Sequence, residues 1–235
     1  MAAVDALAAR LGVRVAWAEP EAAGPAAIDR WLALLDGAEQ AQAARFHFAH
    51  DRLAYIAAHG LARTMLEAAG GLPAAAWRFV LGPHGRPEPD PAHARPWLRF
   101  NISHTRGLVC CAVAVDHDVG IDVEDLERRP VEPALARRYF APCEAELVAR
   151  TPPQGRQEAF LRIWTLKEAF VKATGDGVGL GLDRFAFELD PPRLRFAPES
   201  AGSPASWEFA EARPTRRHLM ALAVRRRPGG LGASQ

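Results

Sequence analysis

Glu168 and Lys172 stand four residues apart in FLRIWTLKEAFVK, a spacing that stacks both side chains on one helical face. A carboxylate and an ammonium so placed can serve as proton acceptor and as fixed cation beside a reacting anion. The same spacing also describes a surface ion pair worth about 0.2–0.5 kcal/mol. Lys167 and Lys172 are the only two lysines among 29 basic residues. Two ammonium groups kept in a chain that otherwise uses guanidinium point to a need for a compact, pKa-shiftable charge, with chance as the competing account. A second segment, VGIDVED, sets Asp122 and Glu124 two residues apart on a strand. They then share one face, roughly 6–7 Å apart. Like charges at that distance repel unless a cation lies between them. Mg²⁺ takes one or two carboxylates and completes its shell with water and phosphate oxygens, while a solvated acidic edge strand fits the spacing equally well. FNISHT ends a strand with Ser103 and His104. The hydroxyl and a protonated imidazole could both donate to an anion, or they could cap a turn.

These groups need elements to hold them. The Glu168 helix, expected over 157–174, has a core stripe of Ala159, Ile163, Leu166, Phe170 and Ala173. A second face joins Leu161 and Trp164 to Glu168 and Lys172 and reads as one wall of a partly enclosed, charged cleft. Upstream, the patterns predict a strand at 13–17, helices at 26–35, 38–45 and 51–69, and strands at 77–81, 98–103 and 108–115. A loop rich in Pro and Gly containing GRP (Gly85–Pro87) separates the first two of those strands. Downstream the order recurs: a strand at 119–124, helices at 133–140, 143–149 and 157–174, then strands at 185–189, 206–210 and 219–224. This predicts an α+β chain of two similar halves, 1–116 and 117–225, with a disordered tail at 226–235.

The 235 residues suffice for one large or two small domains, and a formal net charge of +1 gives no global field. Nucleic acid is therefore not an expected partner. Neither a run of 18 apolar residues nor a leader-like N-terminus is present, so a soluble cytoplasmic protein without membrane association is expected. Cys110, Cys111 and Cys143 lack zinc-type spacing.

In this order and spacing, GRP, FNISH, GIDVED and WTLKEAFVK resemble the 4′-phosphopantetheinyl transferases, specifically the large pseudo-dimeric group, over about residues 45–187. The resemblance implies an intramolecular pseudo-dimer with its active site between the halves, and a monomeric enzyme. Its reaction would be Mg²⁺-dependent transfer of phosphopantetheine from coenzyme A to a serine of an apo acyl, peptidyl or aryl carrier protein. It further implies Asp122 and Glu124 as metal ligands with Glu144 nearby, Glu168 as general base, and Lys172 on the coenzyme A diphosphate. Ser103, His104 and Arg86 would hold the nucleotide end, the last two near its 3′-phosphate. A basic residue often found near position 51 has no clear counterpart: Arg45, His50 and Arg52 are available, and Ala54 stands at one expected place. Two other readings compete, a Mg²⁺-dependent phosphohydrolase and a coenzyme A-binding module without turnover.

Overall fold

The computed structural model describes residues 1–82, 85–175 and 177–226. Helix α1 (Ala2–Leu11) precedes strand β1 (Arg14–Ala18), helices α2 (Pro25–Leu34), α3 (Gly37–Ala44) and α4 (Ala49–Gly70), and strands β2 (Phe79–Leu81), β3 (Pro87–Pro89), β4 (Leu98–Thr105) and β5 (Leu108–Val115). The second series is β6 (His117–Asp125), α5 (Pro133–Tyr139), α6 (Pro142–Arg150), α7 (Pro153–Thr174), β7 (Ala186–Leu189), β8 (Pro192–Phe196), β9 (Trp207–Ala212) and β10 (His218–Arg226). Each series is one strand, three helices and four strands. Each folds an antiparallel sheet of the same order, β1-β5-β4 and β6-β10-β9, beside a two-stranded hairpin. The repeated order expected from sequence is thus present, with one more strand per half and α1 added in front.

Alternation along β5 and β10 explains why both strands are almost wholly apolar. In β5, Leu108, Cys110, Ala112 and Ala114 face the core shared by the halves, while Cys111 and Val113 face α4. In β10, Met220, Leu222 and Val224 enter the shared core, and Leu219, Ala221 and Ala223 pack toward α7. Helix α1 closes that shared core with Val4, Leu7, Ala8 and Leu11. β3 carries two prolines, which lack N–H donors, and β8 buries Leu194 alone, so neither gives a strong strand pattern. The tail expected at 226–235 falls, apart from Arg226 at the end of β10, outside the described residues.

The halves also share an internal brace. Arg63, fully buried at the fifteenth position of α4, pairs with Glu39 at the third position of α3. Lys167, fully buried at the fifteenth position of α7, pairs with Glu144 at the third position of α6 at 2.8 Å. Breaking either pair would strand a buried charge, an effect of about 3–5 kcal/mol.

Candidate active site

Helix α7 lies directly on β6 at Gly120. A methyl group there would overlap the Ala169 carbonyl oxygen and sit 2.6 Å from the Ala173 amide nitrogen. Val119, Ile121 and Val123 of β6 go into the shared core. Asp122 and Glu124 therefore take the other face, toward α7. From the other half, β4 comes alongside: the buried Asn101 accepts the Ile121 N–H at 2.8 Å. Sequence reading selected Ser103 and His104 but missed Asn101 and Gly120. A polar amide within an apolar strand, and a glycine opening GIDVE, were the available signals.

The buried Asp122 is the hub. Its Oδ1 accepts from Lys172 Nζ at 2.6 Å and from Ser103 Oγ at 2.8 Å, and Lys172 also donates to Ser103 Oγ at 3.0 Å. Its Oδ2 is buried without a hydrogen-bond partner among the described residues. Burial works against the Lys172 ammonium, but Asp122 outweighs it and holds the lysine above its usual pKa. Burial, then the charge of Asp122, push both Glu124 and Glu168 above the ordinary glutamate value, against the pull of Arg128 on the former and Lys172 on the latter. Glu124 accepts from Arg128 at 2.8 Å. Asp122 thus repels both Glu124 and Glu168 and keeps one buried oxygen without a partner among the described residues. Among the described residues no three such side chains gather into a metal cage, so a Mg²⁺ here would rest on one or two carboxylates and complete its shell with water and phosphate oxygens.

Several expectations need correction. Glu144 does not join these acids: one oxygen takes Lys167 Nζ at 2.8 Å and the Ala141 N–H at 3.1 Å, the other the Phe187 N–H at 2.9 Å. Its counterpart Glu39 is braced alike in the half that lacks the acids, so we assign Glu144 to the brace. Lys167 likewise serves structure, also donating to the Leu182 and Phe185 carbonyls. Trp164 stacks on Phe160 beside Phe140 and Tyr139, and Leu161 is fully buried, so these two belong to the core rather than to a cleft wall. Arg86 donates to three backbone carbonyls, those of Lys172, Phe100 and Val119.

Two sequence profiles cover most of the chain. That of the 4′-phosphopantetheinyl transferase superfamily matches residues 118–223, and that of the N-terminal 4′-phosphopantetheinyl transferase region matches 22–116. The 4′-phosphopantetheinyl transferase HetI of Nostoc sp. is 34% identical over 195 residues, 82% of this chain and 79% of that protein. This chain belongs to the 4′-phosphopantetheinyl transferase superfamily. A 4′-phosphopantetheinyl transferase of Bacillus subtilis is 32% identical over 162 residues, 68% of this chain and 69% of its own. The human L-aminoadipate-semialdehyde dehydrogenase-phosphopantetheinyl transferase is 28% identical over 207 residues, 81% of this chain and 67% of that one. The chain is thus a transferase that moves phosphopantetheine from coenzyme A to a carrier protein.

In this phosphopantetheinyl transferase Asp122, Glu124, Glu168 and Lys172 all lie in the C-terminal half. Thr64 and Ala68 of α4 occupy the helix positions that Glu168 and Lys172 occupy in α7. The N-terminal half instead offers a cleft of about 270 Å³ lined by His50, Asp51, Ala54, His104, Thr105 and Arg106 among others. Partial desolvation, then Lys172, hold the His104 imidazole below its usual pKa, which works against the protonated ring considered from sequence. Arg45 and Arg52 are exposed and do not line this cleft. Arg106, in the β4–β5 turn, does and was not picked out from sequence. No helix among the described residues is long and apolar enough to cross a membrane.

Proposed function

We propose that Asp122, Glu124, Glu168 and Lys172 carry out a Mg²⁺-dependent attack of a carrier-protein serine on the coenzyme A diphosphate. The observation that carries this reading is the buried, unpartnered Asp122 Oδ2 beside the Lys172 ammonium. Asp122 and Glu124 would hold the metal, which when bound would neutralise diphosphate charge. Lys172 neutralises charge on the departing 3′-phosphoadenylate. Glu168, half-buried and held above the ordinary carboxylate value, accepts the serine proton. Ser103 fixes both Asp122 and Lys172, and His104 with Arg106 faces the nucleotide end. The halves divide at Asp116, whose positive φ of 57° turns β5 into β6. A single chain supplies both halves of the site, which supports a monomer, and three free cysteines fit a reducing cytoplasm.

Incubation with coenzyme A, Mg²⁺ and an apo acyl or peptidyl carrier protein tests the reaction. A carrier mass gain of one phosphopantetheine supports it. Nucleotide release without carrier would support hydrolysis, and neither outcome would leave a binding module. Asp122→Asn is expected to lower activity by about 10²-fold or more, with partial recovery at high Mg²⁺ and an unchanged fold. A variant with the parent's Mg²⁺ dependence would remove Asp122 from the metal site.

A further inference from the structure

Arg86 contacts each element that carries a member of the Asp122 cluster. It donates to the Lys172 carbonyl of α7, to Phe100 O on β4 at 2.7 Å, and to Val119 O on β6 at 3.4 Å. Phe100 lies three residues before Ser103, and Val119 three residues before Asp122. The side chains of Ser103, Asp122 and Lys172 meet within 3.0 Å of one another. The guanidinium therefore joins the backbones of two strands from different halves to the helix whose last turn bears the lysine. A planar fork with five N–H donors can satisfy several carbonyls at once, which an ammonium on a flexible stem cannot do with the same geometry.

We infer that Arg86 is a positioning residue. It sets the registry of β4, β6 and α7 that brings Ser103, Asp122 and Lys172 together, rather than binding the coenzyme A 3′-phosphate. This deepens the proposed reaction and rests on it for its kinetic consequence, though not for its structural one. Removing the fork loosens the Lys172 end of α7, while Lys167, held separately by Glu144 and two carbonyls, stays in place.

The scarcity of lysine makes the test direct. Protein labelled with ¹³C at lysine Cε gives two signals, assigned by the loss of one in Lys172→Arg. In Arg86→Met the Lys172 signal is expected to shift or broaden while that of Lys167 stays unchanged. If neither signal moves, or both move alike, the positioning role is overturned. Kinetically, Arg86→Lys keeps the charge but not the fork. Its kcat is expected to fall by about 10²-fold with coenzyme A and with 3′-dephospho-coenzyme A alike, with KM for each within about threefold of the parent. A KM rise confined to coenzyme A, or an unchanged kcat, would overturn the inference. Should Arg86→Met fail to fold, Arg86→Gln takes its place in the spectroscopic arm. A parent that transfers nothing would sink the proposed reaction while leaving the lysine spectra to judge the registry role.

Discussion

Glu168→Gln is expected to fold, bind coenzyme A, and turn over about 10²–10⁴-fold more slowly than the parent. The substitution keeps side-chain size and helix propensity and removes the proton acceptor. Binding holds because the cations that face the diphosphate are untouched. Stability holds for a reason of sign. Burial and Asp122 keep Glu168 above its unfolded pKa, so the folded state binds more protons, and ionising this group lowers stability as pH rises. At neutral pH the Gln variant should therefore melt no lower than the parent. In the parent, kcat/KM should rise with pH through a midpoint above that of an ordinary glutamate, and this limb should vanish in the variant. Near-parental kcat in Glu168→Gln would transfer the role of base to a metal-bound water.

Gly120→Ala should be as damaging without touching a polar group. The added methyl meets helix backbone, the Ala169 carbonyl and the Ala173 N–H, neither of which can rotate aside. Strand and helix have to part, at a cost of about 1–3 kcal/mol. Glu168 and Lys172 then lift away from Asp122, and a displacement near 1 Å is enough for a loss of about 10²-fold in kcat/KM. Thermal unfolding and carrier-loading rates measured together check this. Gly37→Ala, which meets nothing within 4 Å, is the matched control. A Gly120→Ala protein with parental rates would show that the helix–strand distance does not govern the chemistry.

Most of the architecture was legible because β5 and β10 are continuous apolar runs and α7 carries a core stripe at helical spacing, and the repeated element order followed from them. What escaped had physical causes. The Ala-rich α1 acquires its meaning only from the seam that it covers. β3 is held between prolines, and β8 is mostly exposed. Asp122, Ser103 and Lys172, which the structure brings together, could be picked out from sequence, the first two as polar side chains among apolar strand residues and the last as one of two lysines. Glu144 was set near the metal by the resemblance alone, and no sequence pattern hints at its buried lysine partner across a helix pair. Arg86 was given to the nucleotide end by the resemblance, and the three backbone carbonyls to which it donates are recorded by no side-chain pattern.

The shared brace has a consequence for how sequence change is tolerated. Arg63–Glu39 and Lys167–Glu144 hold equivalent corners of two copies of one scaffold, yet the residues one helical step beyond them differ in kind. Thr64 and Ala68 are exposed, Thr64 donating to the Gly60 carbonyl of its own helix, whereas Lys172 pairs with Asp122 and Glu168 feels the charge of that aspartate. The N-terminal copy can vary at these two exposed positions while its brace keeps the framework rigid. On the proposed reading, divergence between the two halves leaves the acids and the lysine to one copy, while the other contributes Ser103 and the shared framework.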